Sequence, residues 1–323
     1  MKVLKILGKI GLVVVGLVVV LLVSSTIYHT YKLRSEAKEF PPPGELVEVN
    51  DKQMHVYSKG QGDTTLVFMS GFGTPSPTID FKPLWSKMTD EYRIAVVEKA
   101  GYGWSETSSS SRDIDTMLEE TRKALNISGE DGPYVLVPHS MSGLEAIYWA
   151  QQYPEEVKAI IGLDSAIPDI YNASFEYPQK SQLNIVYLIS RIGLARFMDR
   201  AELEKNLPLL QSEELTKEDK DKLIAMFYKS SLTKNMLNEV DTIKENARKV
   251  RANGIPTNIP MYFFMSNESN VIMPTWKDET SKYMSNINLG KFKSLDSGHY
   301  VHHEKSEIIA KEAKGFLKEV YGK

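Results

Sequence analysis

The stretch Tyr134–Gly143, YVLVPHSMSG, gives the strongest indication of the fold. It begins with a short apolar run of β-forming residues, Tyr134–Val137, which predicts a buried strand. From Ser142 onward the apolar residues take helical spacing. Ser140 lies between strand and helix, and such an abrupt turn holds its central residue in a strained conformation that only small neighbours permit. We therefore expect the Ser140 hydroxyl to be exposed at the sheet edge, beside the free N–H groups of a helix N-terminus.

Ser140 has two interpretations at this stage. A serine between a strand and a helix is often a simple helix N-cap. The same position also presents a hydroxyl in the way that a nucleophile requires. The rest of the chain has to decide between them.

Strand and helix patterns alternate along the chain, which predicts a mostly parallel sheet with right-handed crossovers. Residues 169–258 lack a strong strand signal, carry helical spacing, and are too long for an ordinary connection. We interpret them as a helical cap inserted over the site, with aromatic and aliphatic residues that could line an apolar pocket. The predicted strands outside the cap are Leu46–Val49, Met54–Tyr57, Thr65–Met69, Tyr92–Glu98, Tyr134–Val137, Val157–Leu163, Met261–Met265 and Lys291–Leu295.

The central stretch resembles the nucleophile elbow of the α/β-hydrolase family, G-x-S-x-G. Pro138 and Ser142 stand where that family usually has glycines. Three further segments match the family in the right order: Ser70–Gly73 after a strand, Gly101–Ser105 (GYGWS), and Gly298-His299 after the last predicted strand. The resemblance implies an eight-stranded α/β-hydrolase sheet flanked by helices.

The resemblance also implies an oxyanion hole. In this family the glycine-bearing loop lends one backbone N–H, which here would be that of Phe72. The residue after the nucleophile, Met141, would supply the second. Two donors are needed because negative charge develops on the substrate oxygen, and one such donor is worth about 3–4 kcal/mol.

Six histidines compete for the role of base, because a serine hydroxyl is a weak nucleophile until a base takes its proton. His29 and His55 fall in the N-terminal segment and the first hairpin, and His139 is expected to pack or bond locally. His299 follows a glycine at the C-terminal end of the last strand and matches the family's strand-loop-G-H placement, so we assign it as base. The alternative is a metal site, which lacks the spacing of a helical zinc motif. Its ligands would be His299, His302, His303 and Glu304.

Two carboxylates could orient the imidazole. The loop where the family most often has its aspartate, residues 266–270, contains no aspartate; Ser269 falls near the expected place and Glu268 is one position off. Asp164 ends the strand after the elbow helix, on the sheet edge that a triad acid requires. We favour Asp164, with Glu268 as the alternative.

The N-terminus carries Lys2, Lys5 and Lys9 ahead of the apolar run Ile10–Val23. Extended to residue 28, this segment is long enough to cross a bilayer core of about 30 Å. A signal peptide is the alternative, since its core needs only about 7–15 apolar residues. We predict a membrane anchor over residues 1–28 with the large domain exported, and a stiff linker over residues 29–44 that ends in three prolines and a glycine.

Composition excludes several classes of function. The formal charge of −3 gives no basic excess, so nucleic acid is not an expected partner. The absence of cysteine excludes disulfides, thiolate metal sites and cysteine nucleophiles. The proposed chemistry needs no metal or organic cofactor, and the oligomeric state stays open.

Together these observations predict a membrane-anchored serine hydrolase that cleaves a small-molecule or lipid-like carboxylic ester through an acyl-enzyme intermediate. Its core would comprise residues 45–168 and 259–323, and its cap residues 169–258. Two alternatives stay open: an amidase or peptidase with the same triad, and a non-catalytic binding module that kept the fold.

Overall fold

A central sheet organises the computed structural model, which describes residues 2–172, 180–268 and 275–322. Within these ranges eight strands form one sheet in the order β1-β2-β4-β3-β5-β6-β7-β8. The β1–β2 and β2–β4 pairs are antiparallel, and the other neighbours are parallel. The strands are β1 Glu45–Val49, β2 Lys52–Lys59, β3 Thr65–Met69, β4 Arg93–Glu98, β5 Tyr134–Pro138, β6 Val157–Leu163, β7 Met261–Ser266 and β8 Gly290–Leu295.

The first hairpin forms because its two-residue turn matches the twist of the flanking strands. Asn50 and Asp51 both adopt positive φ, 51° and 60°. That conformation is required in the tight turns that suit right-twisted strands, and Asn and Asp tolerate it better than most residues. The remaining strands are joined by crossovers, which keep them parallel. The predicted fold class is therefore confirmed.

Helices cover both faces of the sheet. One apolar core lies under the helices that carry Leu125, Trp149 and Tyr283. The other lies under those that carry Leu84 and Phe316. The helices are α1 Lys2–Glu39, α2 Pro77–Asp80, α3 Lys82–Trp85, α4 Ile114–Ile127, α5 Gly143–Gln152, α6 Lys180–Arg191, α7 Arg200–Asn206, α8 Lys217–Ser230, α9 Lys234–Ala252, α10 Trp276–Met284, α11 Val301–Glu304 and α12 Ser306–Tyr321, with 3-10 turns at Ser140–Ser142, Pro154–Glu156, Pro168–Tyr171, Leu194–Phe197 and Pro208–Gln211.

The chain between β6 and β7 carries α6 to α9, and we call residues 180–252 the cap. The cap has its own apolar cluster, which includes Leu210 and Met226 and extends to Trp104 of the sheet domain. At its other end, buried Glu239 accepts hydrogen bonds from Lys99 Nζ and Tyr102 Oη, both at 2.9 Å. These contacts hold the cap over the segment that follows the carboxyl end of β4.

Most of the linker predicted over residues 29–44 is helical in the structure, because α1 continues without a break to Glu39. Contacts with the cap stabilise this part of the helix, and its polar composition gave no indication of them. Arg196 donates to His29 Nδ1 at 2.8 Å and forms a bidentate pair with Glu36, with both bonds at 2.7 Å. Ser25 Oγ donates to Ile192 O at 2.7 Å. The second half of α1 is thus part of the folded body.

The first part of α1 is apolar and exposed. By length and composition it is the one helix among the described residues that could cross a membrane, and a signal sequence near an N-terminus would have the same character.

Candidate active site

The turn after β5 holds Ser140 in the left-handed region, with φ 53°. This conformation is strained for a residue with a side chain and persists only where the surroundings enforce it. Two glycines allow the close packing. A Cβ at Gly71 would lie 2.7 Å from Ser140 Cβ, and one at Gly143 would lie 2.1 Å from Ala166 O. The turn is therefore wedged between the loop after β3 and the loop after β6.

Ser142 and Pro138, which replace family glycines, each fit the turn. Ser142 Oγ accepts from His139 N–H at 3.0 Å and lies 2.7 Å from Met69 O, so its hydroxyl ties the turn to the end of β3. Pro138 is the last residue of β5, so its missing N–H affects the strand only at its end. The next N–H, that of His139, donates to Met69 O at 2.9 Å and continues the contact with β3. Pro138 O in turn accepts from Ser165 Oγ at 2.5 Å.

Ser140, His299 and Asp164 form a continuous hydrogen-bond chain. His299 Nε2 lies 2.9 Å from Ser140 Oγ, and His299 Nδ1 lies 2.7 Å from Asp164 Oδ2. A carboxylate can only accept, so Nδ1 carries the proton and Nε2 accepts from the serine hydroxyl. This tautomer is the one in which an imidazole can act as base toward a serine.

Asp164 is held rigidly for this contact. It is fully buried and adopts φ 45° just after β6. Its backbone N–H donates to Phe264 O at 2.7 Å, and its Oδ1 accepts from Ser266 N–H at 3.1 Å. The sheet itself therefore positions the carboxylate that orients the imidazole.

Of the two predicted acids, the one in contact with the imidazole is Asp164. Glu268 is exposed, and its backbone N–H donates to Ser266 Oγ at 2.9 Å. Ser269, near the place where the family most often has its aspartate, lies outside the described residues.

The two predicted oxyanion donors flank the serine. Met141 is buried in the 3-10 turn that starts at Ser140. Phe72 follows Gly71, whose close approach to Ser140 places this loop against the elbow. The Phe72 ring packs against the sheet core and against a cluster that contains Tyr102. Both backbones are thus fixed beside the serine.

A second polar cluster lies behind His299, and sequence reasoning missed it. His302 Nε2 and His303 Nε2 lie 2.8 Å and 3.0 Å from the two oxygens of Asp80. The His139 ring contacts both His302 and His299, with centroid distances of 4.9 Å and 4.7 Å. The ring contacts therefore run from the Asp80 cluster to the imidazole of the hydrogen-bond chain.

This cluster differs from the metal set considered above. Glu304 Oε1 accepts from Gly298 N–H at 3.1 Å, and His299 is directed to Ser140 and Asp164. Asp80, His302 and His303 do offer three ligand-type atoms within 4.8 Å of one another, so they could hold a metal ion. The two imidazoles already satisfy the carboxylate as N–H donors.

His302 predicts a pH dependence of stability. Burial, reinforced by neighbouring His303, lowers the pKa of His302 to about 4, against about 6.5 in an unfolded chain. Between pH 6.5 and 4 the unfolded chain therefore binds a proton that the folded protein excludes, and stability falls as the pH falls. His302→Gln should reduce this slope by up to about 1 kcal/mol per pH unit in that window.

The measurement is the free energy of unfolding of the full chain in detergent at several pH values. His303→Gln is the comparison and should reduce the slope less, because His303 only reinforces the effect of burial on His302 and is the more exposed of the two rings. Parallel pH curves for wild type and His302→Gln would contradict the prediction.

Two adjoining cavities separate cap from sheet. One, of about 290 Å³, has mostly apolar walls from the cap, including Ile189, Met198 and Phe227, and reaches Gly73 in the loop after β3. The other, of about 490 Å³, includes His299 in its wall. They share Leu209, Tyr300, His303 and Pro208, so the imidazole lies at one end of a space that continues under the cap.

Comparison with known proteins agrees with this geometry. The family described as alpha/beta hydrolase fold matches residues 64–305. The chain belongs to the α/β-hydrolase family.

This α/β hydrolase is 36% identical to the uncharacterized protein YbdG of Bacillus subtilis, over 98% of each chain. Two named enzymes match at 23% identity over shorter stretches. The match to 2-(acetamidomethylene)succinate hydrolase of Mesorhizobium japonicum covers 36% of this chain and 41% of that protein. The match to cis-3-alkyl-4-alkyloxetan-2-one decarboxylase of Shewanella oneidensis covers 44% and 42%.

Solved structures share the fold. A putative lipase from Acinetobacter baumannii AYE superposes with a TM-score of 0.64 at 16% identity, covering 91% of this chain and 97% of that one. Epoxide hydrolase VrEH1 from Vigna radiata gives 0.63 at 20% identity, covering 85% and 97%. Identities this low show the shared fold and leave the substrate to be argued from the site.

Proposed function

We propose that this α/β hydrolase is a serine hydrolase that cleaves carboxylic esters through an acyl-enzyme intermediate. The observation that carries the proposal is the chain of contacts from Ser140 Oγ to His299 Nε2 and from His299 Nδ1 to Asp164, at 2.9 Å and 2.7 Å. Nucleophile, base and orienting acid are each within hydrogen-bond reach of the next.

The reaction would proceed in two halves. His299 Nε2 takes the Ser140 proton as Oγ attacks the ester carbonyl, and Asp164 stabilises the imidazolium that forms. The backbone N–H groups of Phe72 and Met141 would hold the negative oxygen of the tetrahedral intermediate. The imidazolium then protonates the departing alcohol, and water repeats the sequence to release the acid.

The cavity under the cap favours an ester over a peptide. Its walls are mostly apolar, with Ile189, Met198, Leu223 and Phe227 among them, so they suit an apolar acyl group better than a peptide backbone, which needs hydrogen-bond partners along its length. In the proposed division, the insertion of residues 169–258, which contains the cap, selects the substrate, and the core of residues 45–168 and 259–323 performs the chemistry.

Labelling with a fluorophosphonate probe tests the proposal. The full chain in detergent should be modified covalently, with the added mass located on Ser140 by peptide mass spectrometry. Ser140→Ala should abolish both labelling and ester hydrolysis, whereas Ser109→Ala, which changes an exposed serine in the loop before α4, should retain both. Folded protein that neither labels nor hydrolyses esters would favour a non-catalytic binding module.

We also propose that α1 is an uncleaved membrane anchor. A protease needs an accessible, extended backbone, whereas Val23-Ser24-Ser25 is helical and Ser25 is buried against the cap. The basic residues Lys2, Lys5 and Lys9 favour a cytoplasmic N-terminus and an exported body. Protease added to intact cells should then digest the body and spare the N-terminal end; full protection of the body would reverse the orientation.

A further inference from the structure

The cap exposes a group of large apolar side chains on α6 and the turn that follows it. Ile185, Leu188 and Phe197 are 59%, 58% and 67% exposed, and Leu194 is 38% exposed. We call these four residues the apolar cap face. Exposed apolar residues that cluster in this way mark interaction surfaces more often than scattered ones do.

The apolar cap face lies where the apolar part of α1 ends. Ser25 Oγ donates to Ile192 O at 2.7 Å, and the Tyr28 and Phe197 rings contact each other with centroids 6.4 Å apart. Gly193 approaches His29 so closely that a Cβ there would lie 2.4 Å from His29 Cβ. The cap turn therefore packs on α1 directly after the apolar run.

The attachment of α1 to the cap is rigid. The Arg196 side chain is 4% exposed, and its guanidinium is held by the bidentate contact with Glu36 and by His29. If the apolar part of α1 spans a bilayer, this attachment fixes the cap turn at the level where the helix leaves the lipid. The bilayer then covers the apolar cap face without any further movement of the protein.

The same cap segment also forms the wall of the substrate cavity. Ile189 lies on α6 next to Leu188, and Ala195 and Met198 flank Phe197; all three line the cavity of about 290 Å³. The cap segment thus separates two apolar environments. On one side is the exposed cap face, and on the other is the space that leads to His299.

We propose that the apolar cap face lies in the interfacial layer of the bilayer and that the substrates are acyl esters that enter the cavity from the lipid. The choice of substrate rests on the proposed function; the membrane contact of the cap does not. A second copy of the chain is the competing occupant. The bilayer is favoured because the face is continuous with the apolar surface of α1, and α1 needs lipid along its whole apolar length.

Fluorescence quenching by brominated lipids tests the membrane contact directly. Phe197→Trp in the full chain, reconstituted into vesicles of brominated phosphatidylcholine, should lose at least half of the added tryptophan emission relative to unbrominated vesicles. Ile127→Trp, at an exposed apolar site on α4, is the matched control and should lose little. The four native tryptophans are buried and give a constant background.

Quenching of Phe197→Trp at the level of Ile127→Trp overturns the proposal. If cross-linking then shows self-association through residue 197, the face is a contact between copies. This readout needs no enzyme activity, so it stays valid even if the protein cleaves no ester.

A second measurement tests the route of the substrate. The triple variant Ile185→Ser, Leu188→Ser, Phe197→Ser should hydrolyse a long-chain ester embedded in vesicles at least 10-fold more slowly than wild type. It should retain wild-type rates on a short-chain, water-soluble ester. Ile127→Ser and Ile308→Ser, at exposed apolar positions outside the cap, should change neither rate.

An equal loss on both esters, or no loss on either, overturns entry from the lipid. Failure of wild type to hydrolyse either ester would instead refute the proposed function, and the quenching result would still decide where the cap lies.

Discussion

Asp164→Asn should lower kcat on a soluble ester by up to about 10⁴-fold with little change in KM. The asparagine amide can donate to His299 Nδ1, which would leave the proton on Nε2 and remove the acceptor for the Ser140 hydroxyl. Fold should be retained, because the carbonyl of asparagine can still accept from Ser266 N–H, as Asp164 Oδ1 does at 3.1 Å. Steady-state kinetics of the full chain in detergent measures the effect.

Glu268→Gln is the matched control, since it makes the same chemical change at the alternative acid. Glu268 is exposed, so its replacement should leave kcat within about threefold of wild type, as expected for a surface change away from special contacts. Similar small losses in both variants would refute the role proposed for Asp164. A large loss in Glu268→Gln alone would assign the acid to the other loop.

Glu98→Ala should lower the free energy of unfolding by at least about 3 kcal/mol, because several buried donors would lose their acceptor and each such loss costs about 1–3 kcal/mol. The Glu98 carboxylate is fully buried at the end of β4. It accepts from Trp104 N–H at 2.7 Å, from Thr78 Oγ1 at 2.9 Å and from Thr78 N–H at 3.2 Å. Truncation would leave these donors buried without an acceptor.

His55 adds to the cost of losing Glu98. Its Nδ1 lies 3.0 Å from the Glu98 carboxylate, and its Nε2 accepts from Gly44 N–H at 3.0 Å. Burial alone would raise the pKa of Glu98, but the contacts with His55, Trp104 and Thr78 outweigh burial and lower that pKa. The folded protein therefore favours the charged form of the carboxylate.

Denaturant unfolding followed by tryptophan fluorescence measures the loss. Glu119→Ala is the control, because that carboxylate is 59% exposed and pairs with Lys123 one helical turn away. Its loss should cost less than about 0.5 kcal/mol. Equal free energies of unfolding for the two variants would contradict the stabilising role that we assign to the buried contacts of Glu98.

Local pattern was enough to predict the elbow and the sheet. The apolar run Tyr134–Val137, the change to helical spacing and the small residues around Ser140 are adjacent in sequence, so they could be recognised together. Asp164 was identifiable for a related reason: the carboxyl ends of neighbouring parallel strands meet at one sheet edge, and β5 and β6 are neighbours. Its place in the hydrogen-bond chain follows from that topology.

Contacts between distant residues were beyond the reach of the same reasoning. Asp80 meets His302 and His303 across more than 220 residues, and neither segment has a local pattern that indicates the other. The polar residues of α1 beyond the apolar run led to the prediction of a linker, because their partner Arg196 lies about 160 residues away. A polar segment is exposed only if the fold brings no hydrogen-bond or ion-pair partner to its side chains.

The junction between α1 and the cap also sets where the protein can be shortened. The three prolines at 41–43 look like a natural boundary, but a fragment that starts there would lack Ser25, His29 and Glu36. Arg196 would then keep its buried position with neither counterion nor acceptor from the helix. A water-soluble fragment suited to crystallisation should therefore begin at Ser24 or Ser25. This start removes the apolar part of α1 and keeps all three α1 residues that contact the cap.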